Sequence, residues 1–294
     1  MIPELLDAFS ATIRVAGEPD FACTQARPLS GGCINRAYRL ESADGRRYFV
    51  KLNLAAKQSM FEAEYDGLHA LAASRTIRVP HPVGQDCAAG QAFLILEYLD
   101  LQPRGDARKL GEQLAALHRT SAPQFGWLRD NTLGETPQPN GRTTDWIAFW
   151  RDQRLGYQLK LAKRNGYGYL LSNGERLLES LPVFFEGYRP QPSLLHGDLW
   201  GGNHAYLPGG VPVIFDPAPY FGDRETDLAM TELFGGYSAD FYAAYRAHWP
   251  LDAGYAQRRE LYNLYHILNH ANLFGSGYAR QADDMMQRLL AAIR

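Results

Sequence analysis

The chain has little of several features that would quickly assign a function. Of its 294 residues only three are cysteine, Cys23, Cys33 and Cys87, and none stands in a C-x-x-C pair. That excludes a disulfide framework and fits a reducing compartment. Neither sign of charge is in excess: 30 Lys+Arg against 32 Asp+Glu give a net charge of −2. No basic surplus is available for a nucleic-acid footprint, and no run of like charge marks a binding tail. Long apolar runs are missing too. Stretches such as Ala92-Phe93-Leu94-Ile95-Leu96 fall far short of the roughly 20 residues a membrane span needs. The opening M-I-P-E-L-L-D-A-F-S lacks the basic start and apolar core of a signal peptide. The expectation is a cytoplasmic protein with no nucleic-acid and no membrane partner.

What is present is ordinary globular material. Hydrophobic residues make up 46% and charged residues 21% of the chain, which excludes wholesale disorder. The length fits one large domain or two fused lobes. An opening amphipathic helix carries Ile2, Leu5, Leu6, Phe9 and Ile13 at helical spacing. Strand-like pieces Ala37–Leu40 and Arg47–Leu52 then flank Ala43-Asp44-Gly45, which reads as a hairpin turn. Met60 to Ala73 is a helix with Phe61, Tyr65, Leu68 and Leu71 on one face. Two further strands end in Phe93–Leu96. Beyond Leu99 the pattern turns helical: a stripe of Leu110, Leu114 and Leu117, then Trp146–Ala162, Ala239–His248, Tyr255–Gly275 and Gln281–Ile293. One β-rich island, Leu194 to Phe215, interrupts the helices. The expected architecture is α+β, with a small β-rich lobe holding one main helix over residues 1–99 and a larger, mostly helical lobe over residues 100–294.

The island carries the chemistry. His196-Gly197-Asp198-Leu199-Trp200-Gly201-Gly202-Asn203 is followed by Val213-Ile214-Phe215-Asp216-Pro217. Phosphoryl transfer needs a carboxylate to orient the attacking hydroxyl and oxygen ligands to hold Mg²⁺ on the nucleotide phosphates. Asp198 and Asn203 stand in the D-x-x-x-x-N spacing of a kinase catalytic loop, and Asp216 ends a short apolar strand, as a metal-binding Asp does. The same spacing also suits a simple turn in which Asp and Asn bond their own backbone. Order along the chain favours the catalytic reading. Lys51 in Phe49-Val50-Lys51-Leu52 matches a strand that delivers a lysine to the α/β-phosphates. Glu62 and Glu64 in the next helix compete to pair with it. Gly31, Gly32 and Cys33 sit before a strand, where backbone N–H groups can approach phosphates, and Glu97-Tyr98-Leu99 follows an apolar strand at the lobe junction. Lysine, acid, junction, Asp, Asn, Asp in this order points to a two-lobed, protein-kinase-like fold.

His-Gly-Asp in place of His-Arg-Asp, Asp216-Pro217-Ala218 in place of Asp-Phe-Gly, and no following A-P-E segment separate the chain from protein kinases. It resembles the aminoglycoside-phosphotransferase and choline-kinase branch, and within it the fructosamine kinase (ketosamine-3-kinase) family. Phe125-Gly126-Trp127, Asp130 to Asn140 (D-N-T-L-G-E-T-P-Q-P-N), Gln153-Arg154-Leu155, Asp223 to Met230 and Asn269-His270 are similar. The Asp130–Asn140 stretch discriminates most. The resemblance implies transfer of the ATP γ-phosphate to the 3-hydroxyl of a small-molecule ketosamine or a glycated amine or protein, initiating deglycation. It implies Asp198 as base, Asn203 and Asp216 on Mg²⁺, Lys51 on phosphate with Glu64 (rather than Glu62) orienting it, and Glu97, Tyr98 and Leu99 around adenine. Asp227 matches a position that braces the catalytic loop. Trp200 and the tyrosines suit an aminated acceptor. His266 and His270, at i and i+4 without an H-E-x-x-H pattern, read as packing or substrate-lobe histidines. Cys33 reads either as a small apolar residue at a tight turn or as a redox-sensitive thiol beside the phosphates. Rival readings are a kinase for an aminoglycoside, choline or methylthioribose, and a nucleotide-binding pseudokinase scaffold. Monomer and homodimer stay open.

Overall fold

The computed structural model describes residues 2–30 and 34–293. Gly31, Gly32 and Cys33 therefore lie outside the described residues. In chain order the structure opens with α1 (Pro3–Val15), β1 (Cys23–Leu29), β2 (Arg36–Ser42), β3 (Arg47–Leu54), α2 (Gln58–Ala73), β4 (Pro82–Ala88) and β5 (Gln91–Glu97). The helical part follows: α3 (Ala107–His118), a short hairpin β6 (Asn131–Leu133) and β7 (Thr136–Gln138), α4 (Trp146–Trp150), α5 (Gly156–Arg164) and α6 (Leu171–Ser180). The short strands β8 (Ser193–Leu194), β9 (His204–Leu207), β10 (Val211–Ile214) and β11 (Phe221–Gly222) form the β island. Four helices close the chain: α7 (Glu225–Leu233), α8 (Ala239–His248), α9 (Tyr255–Phe274) and α10 (Ser276–Ala292). No helix among the described residues is long and apolar enough to cross a membrane.

Two compact units result. The first joins Met1–Asp106 with Ala205–Pro217; the second joins Ala107–His204 with Ala218–Arg294. The first unit is an antiparallel sheet in the order β1-β2-β3-β5-β4. Gly45, at φ +87°, makes the β2–β3 turn, where a residue with a side chain would be strained. Strand alternation sorts the two faces. Val50 and Leu52 of β3, with Phe93 and Ile95 of β5, join Leu5, Phe9 and Ile13 of α1 in one buried core. Each such side chain contributes about 1.5–3 kcal/mol on leaving water. Lys51, between Val50 and Leu52, therefore points to the opposite face, opposite Leu94 in register. The β9–β10 segment belongs to this unit because Gln102 and Tyr206 exchange backbone bonds of 2.7 and 2.9 Å, and Asp106 N donates to Gly210 O.

The second unit is a helical assembly. α3 packs on α8, and α9 on α7 and α10. Gly111 lets α3 approach closely, since a Cβ there would run into the backbone oxygen of Phe241. Between α4 and α5, residues Arg151–Leu155 form a turn of π-helix, a widened register often found where a helix serves a site.

Candidate active site

Within the first unit, Lys51 is the centre of a chain of charges. Its Nζ donates to Glu64 Oε1 of α2 at 2.5 Å and to Asp216 Oδ1 at 2.7 Å. The geometry thus joins Lys51 to Glu64, of the two glutamates that compete for it in the sequence. The Lys51 and Glu64 side chains are 8% and 11% exposed, whereas Asp216 is 47% exposed. Burial works against the charge on Lys51, but the carboxylates of Asp216 and Glu64 outweigh it and hold its pKa above the ordinary lysine value. Burial pushes the Glu64 carboxyl up, against the pull of Lys51. Asp216 adopts φ +58°. A non-glycine residue in that region costs about 1–3 kcal/mol and persists where the surroundings demand it, commonly at functional sites.

Glu97 ends β5. Its backbone N–H already bonds His81 O at 2.9 Å, and its carboxylate holds Arg78 and accepts from the His81 amide. The Tyr98 ring lies under the Arg47 guanidinium at 4.8 Å. Glu97 is thus fixed at both its amide and its side chain.

Within the second unit, the loop from His196 to Asn203 is held from beneath. Asp227, on α7 and 1% exposed, accepts from the His196 amide (2.7 Å) and the Gly197 amide (2.9 Å). Burial alone would raise the Asp227 pKa, yet the bond from His118, with the other donors, holds it below the usual carboxylate value. His118 Nε2 reaches Asp227 Oδ2 at 3.1 Å, and its Nδ1 meets the Tyr245 hydroxyl at 2.8 Å. Gly197 sits at φ +83°, and a Cβ there would strike the Ala218 carbonyl oxygen. The brace at Asp227 was expected from the family resemblance. His118 was not, because a histidine ending an amphipathic helix carries no signal of a partner 109 residues away.

Asn203 donates through Nδ2 to the Asp198 carbonyl (2.8 Å) and to Asp198 Oδ2 (3.3 Å). The local turn bonding foreseen for this spacing is therefore present, and it serves to hold Asp198. An amide that donates through its nitrogen keeps Oδ1 as its remaining acceptor, the atom a hard cation takes. Among the described residues no group of three or more His, Cys, Asp or Glu could hold a metal ion by itself. Within the first unit the Asp216 carboxylate is 47% exposed.

Trp200 is 40% exposed and its ring lies 6.4 Å from that of Phe234. His270 Nδ1 bonds the backbone oxygen of His266 at 2.8 Å, and its ring sits among Phe234, Phe274 and Tyr278. Both histidines are packing residues of α9 in this arrangement.

A β-rich unit with a Lys–Glu–Asp ion chain, and a helical unit with a braced His-Gly-Asp loop, define a protein-kinase-like phosphotransferase fold. The solved structure of a streptomycin–ATP complex of an aminoglycoside phosphotransferase shares it, with TM-score 0.64 at 12% identity over 98% of this chain and 97% of that one. A crystal structure from Haemophilus somnus 129PT matches at TM-score 0.88 and 29% identity, covering 96% of both chains. The fructosamine kinase family matches residues 6–292, and the chain belongs to that family. A "Probable ketoamine kinase" of Synechocystis is 48% identical over 281 residues, 94% of each chain. The chloroplastic protein-ribulosamine 3-kinase of Arabidopsis thaliana is 44% identical over 278 residues, 91% of this chain and 84% of that one.

Proposed function

We propose that the protein transfers the γ-phosphate of ATP to the 3-hydroxyl of ketosamines, the adducts of a sugar with an amine, and so initiates their deglycation. The observation that carries this reading is Lys51 bonded at once to Glu64 and Asp216. That arrangement positions nucleotide phosphates in kinases, here in a chain of the fructosamine kinase family. The names of its relatives, ketoamine and ribulosamine kinases, support the acceptor class.

In this reading Asp198 accepts the proton of the 3-hydroxyl as its oxygen attacks the γ-phosphorus. A new O–P bond forms, the bond to the β-phosphate oxygen breaks, and ADP leaves. Asn203 and Asp216 would hold Mg²⁺, which would supply charge neutralisation on the phosphates. Lys51, oriented by Glu64, binds them, and the Glu97–Leu99 segment seats adenine. Positioning and charge neutralisation suffice for such a transfer.

The test is ADP release with Mg-ATP over ribulose-lysine, fructose-lysine, erythrulose-lysine, an aminoglycoside and choline, with Asp198→Asn as the blank. Turnover confined to the ketosamines, lowered about 10²-fold or more in the variant, is expected. Turnover only on another acceptor discards the ketosamine reading, and undiminished turnover in Asp198→Asn removes Asp198 as base.

A further inference from the structure

The stretch Asp130–Asn140, the most discriminating in the sequence, makes no contact chemistry obvious by itself. The structure folds it as the β6–β7 hairpin, with Asn131 opposite Gln138. Both side chains are buried, Gln138 completely. Gln138 Nε2 donates to Asn131 Oδ1 (2.8 Å) and to the Ala218 carbonyl (3.2 Å). Its Oε1 accepts from the Tyr265 hydroxyl (2.7 Å). Asn131 Nδ2 donates to the next carbonyl, Pro219 O, at 2.9 Å. Asn140 Nδ2 donates to the same Asn131 Oδ1 at 2.9 Å.

Arg154, from the π-helical turn and also fully buried, closes the ring. It donates to Pro139 O (2.5 Å) and Asn140 Oδ1 (2.7 Å), and its guanidinium lies 4.1 Å from the Tyr220 ring. Further along, Gly126 and Phe221 exchange two backbone bonds of 2.9 Å. Three separate segments of the second unit, residues 125–127, 130–140 and 153–155, thus converge on Ala218–Phe221. That strip begins two residues after Asp216.

The strip is also tied to the catalytic loop. Ala218 N donates to His196 O (2.9 Å) and Leu195 N to Tyr220 O (3.1 Å), while the Ala218 carbonyl occupies the space beside Gly197. Protein kinases control this region with a long activation segment; here a buried amide network fixes it in place. Gln138 has both its amide nitrogen and its amide oxygen bonded, and one lost donor there leaves a buried carbonyl unpaired.

Resting on the kinase reading above, we propose that Gln138 is a positioning residue. By holding the Ala218 and Pro219 carbonyls through Nε2 and Asn131, it fixes the chain that carries Asp216 and so sets how well Asp216 takes the magnesium of Mg-ATP.

Gln138→Glu keeps the volume and the acceptor for Tyr265 but loses the donors to Ala218 and Asn131. Gln138→Met, uncharged and apolar, serves as the second variant in case the buried carboxylate prevents folding. Tyr265→Phe removes the third bond of Gln138 and spares its two donors. The first readout is calorimetric affinity for ATP across a Mg²⁺ titration, and the second is kcat against Mg²⁺ and against acceptor. The expected result in Gln138→Glu or Gln138→Met is a Mg²⁺ requirement raised about tenfold and kcat lowered about 10- to 100-fold, the scale of a lost buried hydrogen bond. The acceptor KM should stay within about twofold, and Tyr265→Phe should keep the wild-type Mg²⁺ requirement. A folded Gln138 variant with a lowered melting temperature but wild-type Mg²⁺ dependence overturns the proposal, as does Tyr265→Phe shifting that dependence equally. Wild-type silence on every ketosamine sinks the acceptor reading alone, since the binding titration still decides the role of Gln138.

Discussion

Replacing Lys51 with methionine separates its electrostatic role from its place in the core. Met fills a similar volume, so packing against Leu94 and α2 is kept while the charge is lost. Glu64 then stands 11% exposed with no cation at bonding distance in place of Lys51. Removing one partner of a buried pair costs roughly 3–5 kcal/mol, because the other charge stays desolvated. Asp216 is half exposed and adds less than about 1 kcal/mol to that loss. The sign with pH follows from Glu64. Burial already holds its folded pKa above the unfolded value of about 4.3, and loss of Lys51 raises it further. The folded state then holds the proton more tightly, so lost stability returns as pH falls through the folded pKa, at up to about 1.4 kcal/mol per pH unit. All five tryptophans, at 127, 146, 150, 200 and 249, lie in the second unit. Fluorescence would therefore miss the event, and hydrogen exchange at the Val50 and Leu52 amides of β3 is the assay. Protection lost at pH 8 and substantially regained at pH 5, with activity lost at both, is expected. The double variant Lys51→Met/Glu64→Leu should recover protection without activity. A loss below about 1 kcal/mol, or one independent of pH, refutes the argument that Glu64 depends on Lys51 for its charge.

Two more outcomes follow from single residues. Gly197→Ala places a Cβ at φ +83° against the Ala218 carbonyl oxygen; the left-handed backbone alone costs about 1–2 kcal/mol, and loop and strip must part. Turnover should fall below detection while nucleotide binding to the first unit persists, and near-normal kinetics would show that the loop relaxes freely. His266 is buried, its Nδ1 has no hydrogen-bond partner, and burial, with His270 adding, pushes its pKa down from 6.5 to about 3. Its folded value is the depressed one, so the stability it contributes is present above pH 6.5 and is lost as pH falls toward 3. His266→Gln should flatten the acid limb of urea denaturation in that window by about 1.4 kcal/mol per pH unit; an unchanged slope would place the titration elsewhere.

How much of this was legible depended on whether a residue's partner obeys a local period. The first unit read well because strand alternation and the three-to-four spacing of α2 suffice to place Lys51 and the helix that pairs with it, while the choice of Glu64 over Glu62 came from the family resemblance. The α8 span, Ala239–His248, and the ends of α9 read nearly residue for residue for the same reason. α7 left no trace, although it carries the brace Asp227. Residues Glu225 to Thr231 are all buried, so the helix has no polar face to set a stripe against, and its charged residues suggest surface to any reading by pattern. The β6–β7 hairpin escaped differently. Strands of three residues are too short to alternate, and Pro137 within one argues against a strand at all.

That hairpin also shows why a recognised segment is not an understood one. Asp130–Asn140 resembled the family strongly, but nothing local to it says that Gln138 bonds a carbonyl 80 residues on. Amide side chains have no period, no charge and no preferred partner, so their function is fixed only by the fold that surrounds them. Loss of the protein-kinase activation segment is visible in the sequence as an absence. The buried ring of Gln138, Asn131, Asn140 and Arg154 gives that absence a physical counterpart. The strip after Asp216 is held by backbone bonds to Gly126 and to the catalytic loop and by the Asn131 and Gln138 side chains on its carbonyls, with Arg154 stacked on Tyr220, and none of these needs a phosphorylated loop.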